Sequence, residues 1–233
     1  MKNPLDKILS KPWNRAHKTP FPRWFDHVIK VLGLVVVAGG GYVTMLVAYG
    51  ASPKTLAVGY APEQPVPYSH KLHVGELGLD CRYCHTSVEE TAKANIPPTS
   101  TCMNCHSMVW KESEKLAPVR ESFASGQPVE WIRVHSVADY AYFNHSAHVS
   151  RGIGCVSCHG RVDTMEVVYQ TQPLSMAWCV DCHRHPERAL RPPSEATNMT
   201  WQPPGGQDPY EFGEQYAKDN HINPPTDCST CHR

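Results

Sequence analysis

Cys81-Arg-Tyr-Cys84-His85 decides the fold, because the chain repeats its pattern as Cys102-Met-Asn-Cys105-His106, Cys155-Val-Ser-Cys158-His159, Cys179-Val-Asp-Cys182-His183 and Cys228-Ser-Thr-Cys231-His232. All ten cysteines of the 233-residue chain fall in these five copies. Cys-x-x-Cys-His is the attachment sequence of c-type haem. The two thiols add across the two vinyl groups of the porphyrin, and two intervening residues match the separation of those vinyls. The adjacent histidine then lies under the iron as its proximal ligand. Disulfides would not need a histidine after every second cysteine. Structural zinc would pair CxxC units, and five is odd. A thioredoxin-like dithiol would need one motif in a βαβ pattern. The pattern predicts five covalently bound haem c groups, with thioethers to all ten cysteines and His85, His106, His159, His183 and His232 as proximal iron ligands.

Working outward, each of two motifs is preceded by an aromatic residue and a histidine pair. Tyr68-Ser-His70-Lys-Leu-His73 precedes Cys81, and Phe143-Asn-His145-Ser-Ala-His148 precedes Cys155. The next motif follows 21 residues after Cys81 and 24 after Cys155. The chain therefore reads as two similar dihaem units, about 68–110 and 143–190, with the fifth motif as an extra C-terminal unit. Ile96-Pro-Pro-Thr99 and Ile222-Asn-Pro-Pro-Thr226 approach motifs two and five in a similar way.

A low-spin electron carrier needs a sixth iron ligand, usually His or Met. Two histidines three apart on one helical turn can face two different haems, so His70, His73, His145 and His148 are the first distal candidates. His135 is the fifth. His221, Met165 and Met176 are in reserve, because a Met can replace one His. His185, two residues after proximal His183, is badly placed to reach the other face of the same haem. His17 and His27 fall on the wrong side of the membrane segment described below. The arrangement resembles the small cytochrome c3 and c7 families. That resemblance implies that His70 serves the haem of Cys81/Cys84 and His145 that of Cys155/Cys158, while His73 and His148 reach other haems.

Residues 31–52 (VLGLVVVAGGGYVTMLVAYGAS) contain no charge. About 20 apolar residues in a helix cross a bilayer core. A cleaved signal would have a shorter apolar run, about 7–15 residues, behind a short basic lead; here the lead is thirty residues long. Residues 1–30 carry a net charge of +5, and the remainder, with 15 basic and 20 acidic residues, carries −5. The positive-inside rule places such a basic lead in the cytoplasm. The expectation is a cytoplasmic segment 1–30, a transmembrane helix 31–52 and an exported pentahaem domain 53–233, anchored by one span in the cytoplasmic membrane with the haems in the periplasm. Trp24 and Tyr49 suit the two interfaces. Gly39, Gly40 and Gly41 either admit a neighbouring helix or are simply tolerated. No basic patch interleaved with aromatics suggests nucleic acid.

Twenty-one prolines and fifteen glycines leave little room for long regular elements. The expected fold is a multihaem cytochrome c: loop-rich, with short helices packed around five haems, plus the N-terminal span. A short helix is expected over residues 113–122, and an extended proline-rich arm over 186–220. Trp110, Trp131, Trp178 and Trp201 are expected against haem or partner proteins.

One N-terminal span, five CxxCH motifs, YSHKLH before the first, YFNHSAH before the third and a terminal CSTCHR together resemble the pentahaem cytochrome subunit of bacterial alternative complex III. That resemblance implies a quinol-oxidising respiratory complex. Its other members are an iron–sulfur subunit, polytopic membrane subunits where quinol is oxidised and a monohaem cytochrome on the way to a terminal oxidase. This chain would relay electrons, with no chemistry of its own beyond that. Three other readings stay open: a self-contained quinol dehydrogenase with an open haem near the membrane, a free periplasmic carrier, and a multihaem nitrite or hydroxylamine enzyme. The spare histidines suffice to close all five irons, and no variant motif marks a special haem.

Overall fold

A computed structural model describes residues 22–50 and 57–232, and the chain divides into two compact units, 1–51 and 52–233. The first unit's described part is one helix, α1 (Arg23–Gly50). It begins earlier than the charge-free run, taking in Trp24, Asp26 and Lys30, because nothing at 23–30 breaks a helix. It is long and apolar enough to cross a membrane, with a mean hydropathy of 2.1 and nothing packed over that stretch. Residues 1–21 and 51–56, which include His17 and one end of the expected span, lie outside the described residues.

The second unit contains no strand among its described residues, only one isolated bridge between Ile153 and Leu190. Its elements are a π-helical turn at Lys71–Glu76, α2 (Cys81–Cys84), α3 (Thr99–His106), α4 (Ala117–Ser125), α5 (His145–Val149), α6 (Cys155–His159), α7 (Met176–Arg184), α8 (Pro209–Asp219) and α9 (Cys228–Cys231), with short 3₁₀ turns between them. Every CxxCH motif is therefore a helical turn, and local chemistry starts most of them. The side chains of Asp80, Ser175 and Asp227 accept hydrogen bonds from the first backbone N–H groups of α2, α7 and α9, as N-caps do. The first cysteine opens the helix in motifs one, three and five. In motifs two and four it comes three residues into the helix. The alternation follows the two-unit repeat, and it puts motif five with the leading motifs despite its proline-rich approach.

Two expectations need correction. The short helix forms at Ala117–Ser125, later than expected, after a 3₁₀ turn at Glu114–Leu116. Pro118 favours a helix start, and Gly126 ends the helix with φ +73°. The segment 186–220 is not an extended arm. It folds back as 3₁₀ turns at Pro186–Arg188, Pro193–Glu195 and Pro204–Gly206, then as α8. The prolines open turns rather than stretch the chain. Residues 210–219 contain none, and Asp208 caps them by accepting from the N–H groups of Tyr210 and Glu211.

α8 packs on the Pro186–Arg188 turn so closely that a Cβ at Gly213 would collide with the carbonyl of Glu187. Gly213→Val should therefore destabilise the protein by about 1–3 kcal/mol, the usual range for overpacking. A lowered thermal midpoint with unchanged haem content would show it; an unchanged midpoint would mean that α8 docks less tightly.

The polypeptide's own core is small. Among the described residues the buried hydrophobic side chains are Val66, Val88, Val119, Val149, Met165, Ala189, Leu190 and Ala196. The cluster they form is Val88, Val149 and Ala196, with Ala94 against it. It joins the loop after α2, the end of α5 and the 193–196 turn.

Candidate haem sites

The two histidine pairs are built alike. Tyr68 meets His70 edge-on at 4.8 Å and 85° and stacks on His73 at 4.4 Å and 22°. Phe143 meets His145 edge-on at 4.7 Å and 86° and lies over His148 at 4.5 Å and 34°. The Nδ1–H groups of His73 and His148 each donate to the carbonyl four residues back, Ser69 at 2.8 Å and Asn144 at 2.7 Å. His145 Nδ1 donates to the carbonyl of Ala92 at 2.9 Å.

Four of the five motif histidines are held the same way. His85 donates to Asn95 (2.6 Å), His106 to Val109 (3.0 Å), His183 to Pro225 (2.6 Å) and His232 to Tyr140 (3.0 Å), each through Nδ1 to a backbone carbonyl. A carbonyl only accepts, so each Nδ1 carries the proton and Nε2 keeps its lone pair for a metal. Asn95 takes its carbonyl to His85 in a left-handed conformation, φ +58°, which asparagine tolerates better than most residues. Sequence reasoning missed all of these acceptors, because a backbone carbonyl leaves no side-chain signal.

Ring spacing brings pair members to motif histidines. A metal–imidazole bond of about 2 Å on each side of an iron, plus roughly 1 Å from each nitrogen to its own ring centre, puts two axial imidazoles about 6 Å apart. His145 and His159 are 6.4 Å apart with rings nearly parallel at 12°. His148 and His183 are 6.1 Å apart, and His73 and His106 are 6.2 Å apart. Burial first, then His85 and His73, holds His70 down to about 4. Burial and the surrounding histidines hold His159 down to about 3, and burial also lowers His135 and His148. All four are therefore neutral, and ligand-competent, at neutral pH.

The remaining candidates are placed differently. His135 lies 4.4 Å from His159 at 73°, nearer than two ligands of one iron can stand, so it sits beside that site rather than across it. Its Nε2 is buried without a hydrogen-bond partner, as is Nδ1 of His70. His221 is exposed and lies two residues beyond α8, with φ +51°. Met165 is buried beside the Lys71 turn, while Met176 opens α7 and is 68% exposed. His185 turns to Glu187, 3.4 Å away. Trp201 packs on Phe212 at 5.2 Å and under the Arg191 guanidinium, also 5.2 Å away; Trp110 is exposed.

Arg191, itself buried, is a further residue the sequence did not flag. Its guanidinium fills the space beside Gly154, next to Cys155, and donates to Asn198, while its Nε is buried and unpartnered. A guanidinium so placed can hold a carboxylate, such as a haem propionate.

Paired imidazoles at iron spacing, fixed tautomers, unpartnered ring nitrogens and ten unpaired thiols fit haem c. A family model described as cytochrome c7 and related cytochrome c matches residues 141–233. The multiheme cytochrome c subunit of menaquinone reductase from Nitratidesulfovibrio vulgaris is 30% identical over 175 residues, covering 73% of this chain and 77% of that one. The chain belongs to the multihaem cytochromes c. As a multihaem cytochrome c it carries covalent haem and transfers electrons, and its helical, loop-rich, strand-poor architecture is that of the family.

Proposed function

We propose that this multihaem cytochrome c is the electron-relay subunit of a quinone-linked respiratory complex and holds five haem c groups, one at each CxxCH motif. Bound haem supplies one-electron redox chemistry at its iron. The chain's residues bind it, fix its axial ligands and set its surroundings. His85, His106, His159, His183 and His232 are the proximal ligands. His70, His73, His145 and His148 are the distal ligands opposite His85, His106, His159 and His183. His135 remains the fifth distal candidate on the strength of its buried, unpartnered Nε2, ahead of His221, Met165 and Met176. α1 anchors the chain in the cytoplasmic membrane, with the basic segment inside and the haem domain in the periplasm. The observation that carries this reading is the spacing of three histidine pairs at iron distance, each on a separate motif.

The finer proposal is the pentahaem subunit of an alternative complex III. It would take electrons from an iron–sulfur subunit and polytopic quinol-oxidising subunits and pass them to a monohaem cytochrome and a terminal oxidase. A second reading has a specific basis: the relative's complex is named a menaquinone reductase. The same relay would then run from a periplasmic donor toward the quinone.

Purification from membranes without dissociating partners tests both. Pyridine-haemochrome quantification and intact mass should give five haems on a chain that retains residues 1–50, with iron–sulfur and polytopic subunits co-purifying. Reduction of the haems by menaquinol supports the oxidising direction. Haem oxidation only by added menaquinone supports the reverse. A solitary five-haem chain reduced directly by quinol would point to a self-contained dehydrogenase, and a chain without covalent haem would end the proposal.

A further inference from the structure

We infer that the five haem sites form one unbranched file that does not follow the sequence: motif two, then one, three, four and five, with electrons entering and leaving only at the Cys102/Cys105 and Cys228/Cys231 ends. The inference rests on the five-haem reading above. It is carried by contacts that tie successive motifs together.

Motifs two and one touch directly: Asn104, inside the second, donates to the hydroxyl of Tyr83, inside the first, at 3.3 Å. The same turn that carries His70 carries His73, whose ring stands 6.2 Å from His106. Motifs one and three share a support. Asp80, the cap of α2, accepts from the Thr197 hydroxyl at 2.7 Å, and Arg82 donates to the Pro193 carbonyl at 3.1 Å. One residue before Thr197, the Ala196 carbonyl accepts from the N–H of Cys155 at 2.9 Å. The Val88, Val149 and Ala196 cluster sits at this same junction. His145, which faces His159, is held by Ala92 in the loop after motif one. Motifs three and four are joined by α5, whose His145 and His148 face one each. Motif four meets five where His183 donates to Pro225, three residues before Cys228.

Exposure agrees: the cysteines that are exposed are Cys105 and Cys228, in the two motifs at the ends, and the other eight are partly covered. The two repeats are joined head to head through their first motifs, so the duplication is folded into a continuous path. Each hop reduces one centre as it oxidises its neighbour, with no proton moved and no bond broken. The electron comes from a reduced partner centre at one end and leaves to an oxidised one at the other.

Iron positions decide the matter. Anomalous scattering from crystals of the full-length, haem-loaded protein should give five irons. The shortest links should run two–one, one–three, three–four and four–five, and no other pair should be as close. The iron of motif two lying nearest motif three or four, or that of motif five nearest motif one, would overturn the file while leaving five haems in place. Fewer than five irons would sink the five-haem reading and the file with it.

Discussion

His145→Ala is expected to turn one haem in five from low spin to high spin and to stop electrons passing between the two halves of the protein. His145 is the best-fixed candidate ligand. Asn144 caps α5 by accepting from the Ser146 N–H, and both the backbone N–H and the Nδ1–H of His145 donate to Ala92. Its ring is then nearly parallel to that of His159 at 6.4 Å. Removing it leaves that iron with one protein ligand, and the site lies in the middle of the file, where no parallel route bypasses it. Throughput from a donor at one end to an acceptor at the other should fall by at least roughly 10–100-fold, the loss typical when a metal's supporting shell is broken. The spectrum separates a ligand from a packing role: added imidazole should enter the space left by the side chain and restore the low-spin signal. His221→Ala, exposed just beyond α8, should leave every haem low spin. Unchanged low-spin content in His145→Ala would remove His145 from the ligand set.

The parts that could be read before folding were those with chemistry written in side chains. Ten cysteines in pairs with two residues between them, five histidines beside them, and the doubled aromatic–HxxH signature marked the motifs and the histidines that the fold sets about 6 Å apart. The charge-free run located α1 to within one helix, because apolarity over that length is a local property. What could not be read depends on where the backbone travels. Asn95, Ala92, Tyr140 and Pro225 orient histidines through carbonyls that any residue has. The inferred order of the sites depends on Thr197 and Ala196, more than a hundred residues beyond Asp80, meeting motifs one and three together. Proline misled over 186–220 because it both breaks helices and begins them; only Asp208 ahead of a proline-free stretch marked α8. His135 could be named from its residue type but not assigned to a haem, because its ring lies beside His159 and not opposite it.

Losing the haem at motif three should unfold the 52–233 unit, whereas losing the one at motif five should not. The buried apolar side chains of the polypeptide are few and mostly small, and a buried Val or Leu contributes only about 1.5–3 kcal/mol. Porphyrin faces therefore supply most of the apolar surface on which this unit can pack, and the thioether pairs limit the unfolded ensemble as other cross-links do. Motif three lies where these effects concentrate. Cys155 is bonded through its N–H to Ala196, at the one apolar cluster described, and buried Arg191 fills the space beside Gly154. Cys155→Ser with Cys158→Ser removes an internal apolar face from a core that has few others, against a domain's usual total stability of about 5–15 kcal/mol. Cys228, by contrast, is exposed, and residues 225–232 are bonded to the rest through His183 on Pro225, Tyr142 on Cys231 and His232 on Tyr140. Limited proteolysis of membrane-extracted protein should show the motif-three double variant degraded, with little haem-bearing chain surviving. The Cys228→Ser, Cys231→Ser variant should survive as a protected chain carrying four haems. Equal resistance of the two would mean that the unit's stability comes from polypeptide packing and not from the haem at its centre.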